Sequence, residues 1–199
     1  MIIRPYQPRD KERAVEILLA AFREDPAFAR IAALAPGADA EAVLRDLFDL
    51  QVGREYAPLG AIDVAEDEGR IYGVALWNPP GARLGLRQRA QVALGYARIF
   101  GPGALTLYRH ERELDAYHPA FPHWYLYALA VSPDAQGRGV GTRLLRSGMD
   151  RAGRQAIYLE ASTPRSARLY ESLGFAALGE LPRHGAGPSE LAMWRSAAR

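Results

Sequence analysis

Cysteine is absent from this chain of 199 residues, which excludes disulfides, thiolate metal sites and an acyl-cysteine intermediate together. Lysine is almost absent as well: Lys11 stands alone among 25 basic residues, the others being arginine. The formal net charge is only +2. The arginines are scattered among acidic neighbours rather than gathered into the stripe that displaces counterions from a phosphate backbone, so no nucleic acid is expected as a partner. There is no long run of like charge and no low-complexity tract, which argues against disorder. No apolar stretch is long enough to cross a bilayer, and the opening residues Met1 to Tyr6 lack the features of a secretory signal. A cytoplasmic protein without a membrane partner is the expectation. His110, His118, His123 and His184 show no H-E-x-x-H spacing, and Pro119 and Pro122 break any helix that would align His118 with His123, so no metal is expected either.

What is present is a 49% hydrophobic composition, enough for one sizeable core and a single expected domain over residues 1–199. Hydrophobic spacing predicts a strand at Ile2 to Tyr6 and a helix from about Pro8 to Arg23 that Asp25-Pro26 stops. A second helical region carries Val43, Leu44, Leu47 and Leu50. Ala61 to Ala65 and Arg70 to Trp77 read as a hairpin about Glu66 to Gly69. Residues 83–117 read as two helices inserted before a central strand, Trp124 to Val131, expected to be apolar on both faces. Then come a helix from about Gly139 to Ala152, a strand Ile157 to Ala161, a helix Pro164 to Leu173, and closing strands near Phe175 to Leu181 and Glu190 to Trp194.

Chemistry concentrates at Gln136-Gly137-Arg138-Gly139-Val140-Gly141, directly after the central strand and at the start of a helix. A helix N-terminus offers unpaired N–H groups and partial positive charge to a phosphate. Glycines at 137, 139 and 141 let a diphosphate approach the main chain, and Arg138 can add a charged contact. The run lacks the Gly-Lys-Ser/Thr of a Walker loop and the third glycine of a dinucleotide fingerprint.

The remaining pattern, Q-x-x-G-x-G between a strand and an amphipathic helix, resembles the phosphate loop of the GNAT acetyltransferase superfamily. Leu169-Tyr170-Glu171-Ser172-Leu173-Gly174-Phe175 is similar to that family's L-Y-x-x-x-G-F signature. Within the superfamily, Ala21-Phe22, Asp25-Pro26, Ala75-Leu76-Trp77 and the inserted helices look like the puromycin N-acetyltransferase branch. The resemblance implies a mixed α/β (α+β) GNAT acyl-CoA N-acyltransferase fold: a mostly antiparallel twisted sheet flanked by helices, with the helical insert before the central strand. It also implies transfer of an acetyl group from acetyl-CoA directly to a primary amine of a small molecule, in a ternary complex. A protein N-terminal or lysine acetyltransferase, or a non-catalytic acyl-CoA sensor, are the competing functions.

The same resemblance implies site residues. Main-chain groups of Leu129, Ala130 and Val131 would hold the pantetheine arm. Gln136 to Gly141 with Thr142 would hold the diphosphate, and Thr163, Ser166 and Tyr170 would complete the cofactor site. Thr163 stands where many relatives carry asparagine. Tyr170 matches the tyrosine that protonates the departing thiolate, a role its ordinary pKa of about 10 suits.

For the general base the residues leave alternatives open. Glu160, a carboxylate in an apolar strand, is either paired with an arginine or functional; His118, like His123, lies just before the central strand with an imidazole suited to neutral pH. Phe22, Phe28, Trp77 and Tyr127 are candidates for an aromatic acceptor pocket. A monomer or a homodimer is expected.

Overall fold

A computed structural model describes residues 1–197. Its centre is a seven-stranded sheet in the order β1-β2-β3-β4-β5-β7-β6. The strands are β1 (Ile2–Pro5), β2 (Ile62–Asp67), β3 (Arg70–Asn78), β4 (His123–Val131), β5 (Ala156–Ala161), β6 (Ala176–Glu180) and β7 (Leu191–Arg195). Only β4 and β5 run parallel; the other neighbours are antiparallel. The helices are α1 (Lys11–Phe22), α2 (Pro26–Ala32), α3 (Ala40–Leu50), α4 (Leu86–Phe100), α5 (Gly103–Asp115), α6 (Val140–Ala152) and α7 (Pro164–Glu171). This is the mixed fold that the motifs imply, with α4 and α5 as the insert. Among the described residues, no helix is long and apolar enough to cross a membrane.

Sheet and helices bury two main apolar clusters. Ala14, Ile17 and Leu18 of α1 pack with Val43, Leu44 and Leu47 of α3 and with Val74 and Leu76 of β3. Leu144 and Leu145 of α6 pack with Trp77, Trp124 and Ile157 in the other cluster. The closeness of α6 to the sheet depends on Gly148: a Cβ there would lie 2.0 Å from Trp77 Cζ2, and the indole is fully buried with no room to yield. Gly148→Ala is therefore expected to destabilise the fold by about 1–3 kcal/mol, read as a lower denaturant midpoint at unchanged slope.

Three elements depart from the sequence expectations. Asp25-Pro26 does not simply end α1; the Asp25 side chain accepts from the Ala27 amide at 2.9 Å and starts α2 as its N-cap. Beyond α3 the chain continues as a π-helical turn, Gln51–Tyr56, which no periodicity announced. And β4 is not apolar on both faces throughout: buried residues alternate with half-exposed ones, Tyr125, Tyr127, Leu129 and Val131 being the open set.

Candidate active site

Two irregularities coincide on β4. Its parallel ladder to β5 ends at Leu126 opposite Leu159. In the ladder to β3, Leu76 faces Ala128 and Trp77 faces Leu126, so Tyr127 is an extra residue. Such a bulge bends a strand and re-aims its side chains. Beyond it β4 keeps only β3 as a neighbour, while Glu160 and Ala161 of β5 pair with Ala192 and Leu191 of β7. The edge of residues 127–131 that would face β5 has no strand beside it.

At the end of this edge the chain turns into α6. Gly137 and Gly139 adopt left-handed φ values of 77° and 74°, conformations that glycine alone takes without strain. Gly139 is the N-cap of α6, so the amides of Val140, Gly141 and Thr142 head the helix without carbonyls behind them. The corner is braced: Arg13 Nη2 donates to buried Ser132 Oγ at 3.1 Å, Ser132 donates to Asp134, and Arg70 pairs with Asp134 at 2.8 Å.

A cavity of about 620 Å³ follows the gap between β4 and β5. Leu129, Val131, Gln136, Gly137, Gly139, Val140, Gly141 and Thr142 line it from the β4 and α6 side, and Thr163, Ser166 and Tyr170 from the α7 side. Ala130 points its side chain into the apolar cluster under α1, leaving only main chain for a ligand. Arg138 does not line the cavity; its guanidinium stands over the Tyr72 ring, 5.7 Å from the centroid. Thr163 and Ser166 spend their hydroxyls on starting α7: Thr163 Oγ1 accepts from the Ser166 amide at 3.2 Å, and Ser166 Oγ donates to the Thr163 carbonyl at 2.8 Å.

A second cavity, of about 1250 Å³, lies beneath α4 and α5. Tyr125, Tyr127, Glu111, Asp115, His118 and Ile31 line both cavities, so the two meet where β4 bulges. Phe22 and Phe28 line the first cavity. Trp77 lines neither: its side chain is on the α6 face of the sheet, edge-on to Trp124 at 6.3 Å. The acceptor role expected of Trp77 is thereby corrected, because the residue is part of the core.

Among the described residues, Glu160 has no arginine partner. Its carboxylate accepts from Tyr125 and Tyr158 hydroxyls, each at 3.1 Å, and lies 3.7 Å from His118 Nε2. His123 extends this cluster, with Nε2 3.4 Å from His118 Nδ1, and burial lowers its pKa. Tyr170 is buried, and burial followed by the nearby Asp25 carboxylate pushes its phenol well above the usual range.

Two participants escaped the sequence reading. Asp25, besides capping α2, takes a short hydrogen bond from Ser162 and lies close enough to act on Tyr170. Glu111 on α5 is exposed to both cavities; desolvation by the surrounding chain, then Glu160, Glu55, Asp115 and Glu190, push its pKa up to about 7. No sequence signal marks it, since it sits in a charged helical run that reads as a solvated face.

The family described as Acetyltransferase (GNAT) matches residues 28–175 of this chain. A crystal structure from Corynebacterium glutamicum, described as histone acetyltransferase HPA2 and related acetyltransferase, is 42% identical, with a TM-score of 0.79 over 99% of this chain and 96% of that one. An uncharacterized protein of Mycobacterium leprae is 42% identical over 97 residues, 48% of this chain. N-alpha-acetyltransferase RimI of Mycobacterium tuberculosis is 43% identical over 56 residues, 27% of this chain. The match spans only 23% and 35% of the length of these two curated relatives.

Proposed function

The chain belongs to the GNAT acetyltransferase family, and on that premise we propose that it transfers the acetyl group of acetyl-CoA directly to a primary amine of a small molecule within a ternary complex. The observation that carries this reading is the meeting of the two cavities at the β4 bulge. One has the form of a coenzyme cleft, and the other is an aromatic and acidic chamber beneath α4 and α5. The cleft suits the coenzyme because α6 opens on free amides beside two glycines whose added Cβ atoms would meet only open space.

The coenzyme supplies an acyl group already activated as a thioester. The α6 amides bind its diphosphate, and the open edge of β4 takes its pantetheine arm as an added strand would be taken. A main-chain amide on that edge polarises the acyl oxygen. Glu111 receives the proton of the attacking amine, and Tyr170 returns one to the departing sulfur, so proton uptake and release balance. His118 and Glu160, tied to Tyr125 and Tyr158, shape the wall between them.

Glu111→Gln is expected to lower kcat/KM about 10²-fold or more near neutral pH. The wild-type rate should rise with pH through about 7 as this base loses its proton, and the variant should lack that inflection. Stability moves the other way. A carboxyl with a folded pKa of about 7 against 4.5 for the free group retains its proton where the unfolded chain has lost it, so its ionisation weakens the fold as pH rises across that window. The variant should therefore unfold at a higher temperature than the wild type under mildly alkaline conditions.

Mass spectrometry of reactions with a library of small amines and, separately, with protein extracts tests the acceptor class. Acetylated small amines are the expected product. Acetylation confined to protein termini or lysines would instead favour a protein-modifying enzyme, and coenzyme binding without any product would favour a sensor.

A further inference from the structure

The π-helical turn Gln51–Tyr56 supplies part of the larger cavity that the coenzyme cleft does not share. Its hydrogen bonds skip to the fifth residue, and turns of this kind recur at functional sites. Here the wide turn puts Gln51, Glu55 and Tyr56 on one side, all three lining the larger cavity and none of them the cleft. Tyr96 and Tyr127 complete the same wall.

The polar groups of this wall are not balanced among themselves. Gln51 is 3% exposed. Its Nε2 donates to Tyr127 Oη at 2.6 Å and to Tyr96 Oη at 3.2 Å, while its Oε1 has no partner among the described residues. Tyr96 in turn donates to Glu55 Oε2 at 2.9 Å. Among the described residues no cation acts on Glu55: burial raises its pKa and only the Tyr96 hydroxyl opposes that rise. Arg83 and Arg89 line the same cavity without pairing with it. Beside these groups, Tyr56 stacks on Tyr127 with ring centroids 5.2 Å apart. An unmet carbonyl oxygen, a carboxylate without a counter-ion and a pair of aromatic rings share one missing complement: a positively charged group rich in N–H donors.

We propose that Gln51, Glu55 and Tyr56 of the π-turn, with Tyr96 and Tyr127, form a subsite for a second cationic group on the acceptor. Preferred substrates are then amines that carry an ammonium or guanidinium at the far end of an apolar spacer. The inference rests on reading the larger cavity as the acceptor site. The reacting amine lies at the bulge near Glu111, and the distal cation lies against the π-turn.

Isothermal titration in the presence of coenzyme A tests it without requiring turnover. A series of α,ω-diamines and ω-guanidino amines is compared with n-alkylamines of equal length. The dications are expected to bind about tenfold or more tighter. Glu55→Gln should erase that advantage and leave n-alkylamine binding unchanged. Tyr96→Phe, which removes only the hydroxyl that steadies Glu55, should shrink it; this variant decides the matter if Glu55→Gln does not fold.

Equal affinity for mono- and dications in the wild type would overturn the proposal. So would a folded Glu55→Gln, or failing that a folded Tyr96→Phe, that keeps the full preference. Dications that bind in a Glu55-dependent way but are never acetylated would uphold the subsite and refute the acceptor reading. Acetylation of monoamines and diamines with equal kcat/KM would refute the subsite and leave the acceptor reading intact.

Discussion

Tyr170→Phe is expected to lower kcat for amine acetylation by about 10²-fold or more while leaving coenzyme affinity nearly unchanged. The substitution removes one oxygen and keeps the ring that packs 5.9 Å from Phe175, so the helix end on which it sits should hold. Burial and the Asp25 carboxylate both favour the neutral phenol, which means the proton is present at any working pH. A thiolate expelled into the same cavity is desolvated too, and its own pKa climbs, which keeps the transfer from phenol to sulfur feasible. An acyl donor with a more acidic leaving thiol should narrow the gap between variant and wild type, an effect that a packing role would not produce. Equal kcat for the two proteins would remove Tyr170 from the chemistry.

The second large effect is expected at the turn. Gly139→Val should raise KM for acetyl-CoA about 10²-fold or more, an effect comparable with losing several charge-assisted hydrogen bonds. The residue holds φ at 74°, where a β-branched side chain is strained by roughly 1–2 kcal/mol. Its new methyl groups would also project into the open space in front of the α6 amides. Strain and obstruction can be separated with Gly153→Val at the other end of α6, where φ is 59° and a Cβ likewise meets nothing. That control, whose ψ of -117° lies outside the left-handed helical region that Gly139 occupies, should lose at least as much stability and keep its KM. A Gly139→Val protein with normal KM would contradict the placement of the diphosphate.

The parts of this site legible in the sequence are those where the backbone itself does the work. Gln136 to Gly141 announces a helix start without side chains in the way, and only glycine meets that demand, so the motif carries its own physical reason. Leu169 to Phe175 is legible for a similar reason: Gly174, at φ 86°, is the turn that lets Phe175 fold back beside Tyr170.

Side-chain direction was not legible. Alternation along β3 and β4 cannot say which face meets a cavity when a bulge at Tyr127 shifts the count by one residue, and the aromatic character of Trp77 does not show that it packs under α6. Arginine suits a phosphate, but its sequence position does not show that the Arg138 guanidinium stands over the Tyr72 ring. Glu111 and Glu55 owe their raised pKa values to desolvation by residues that the fold packs around them, and Glu111 also to the carboxylates it faces. Neighbours in sequence do not report that kind of depth.

Amide hydrogen exchange with and without acetyl-CoA tests the central claim most directly, because the claim concerns main-chain groups. Protection is expected to rise in residues 137–142 at the head of α6 and in residues 127–131 along the unpaired edge of β4, with little change in β1 and β2. Saturating coenzyme that leaves both segments exchanging as before, or protects a different part of the chain instead, would contradict it.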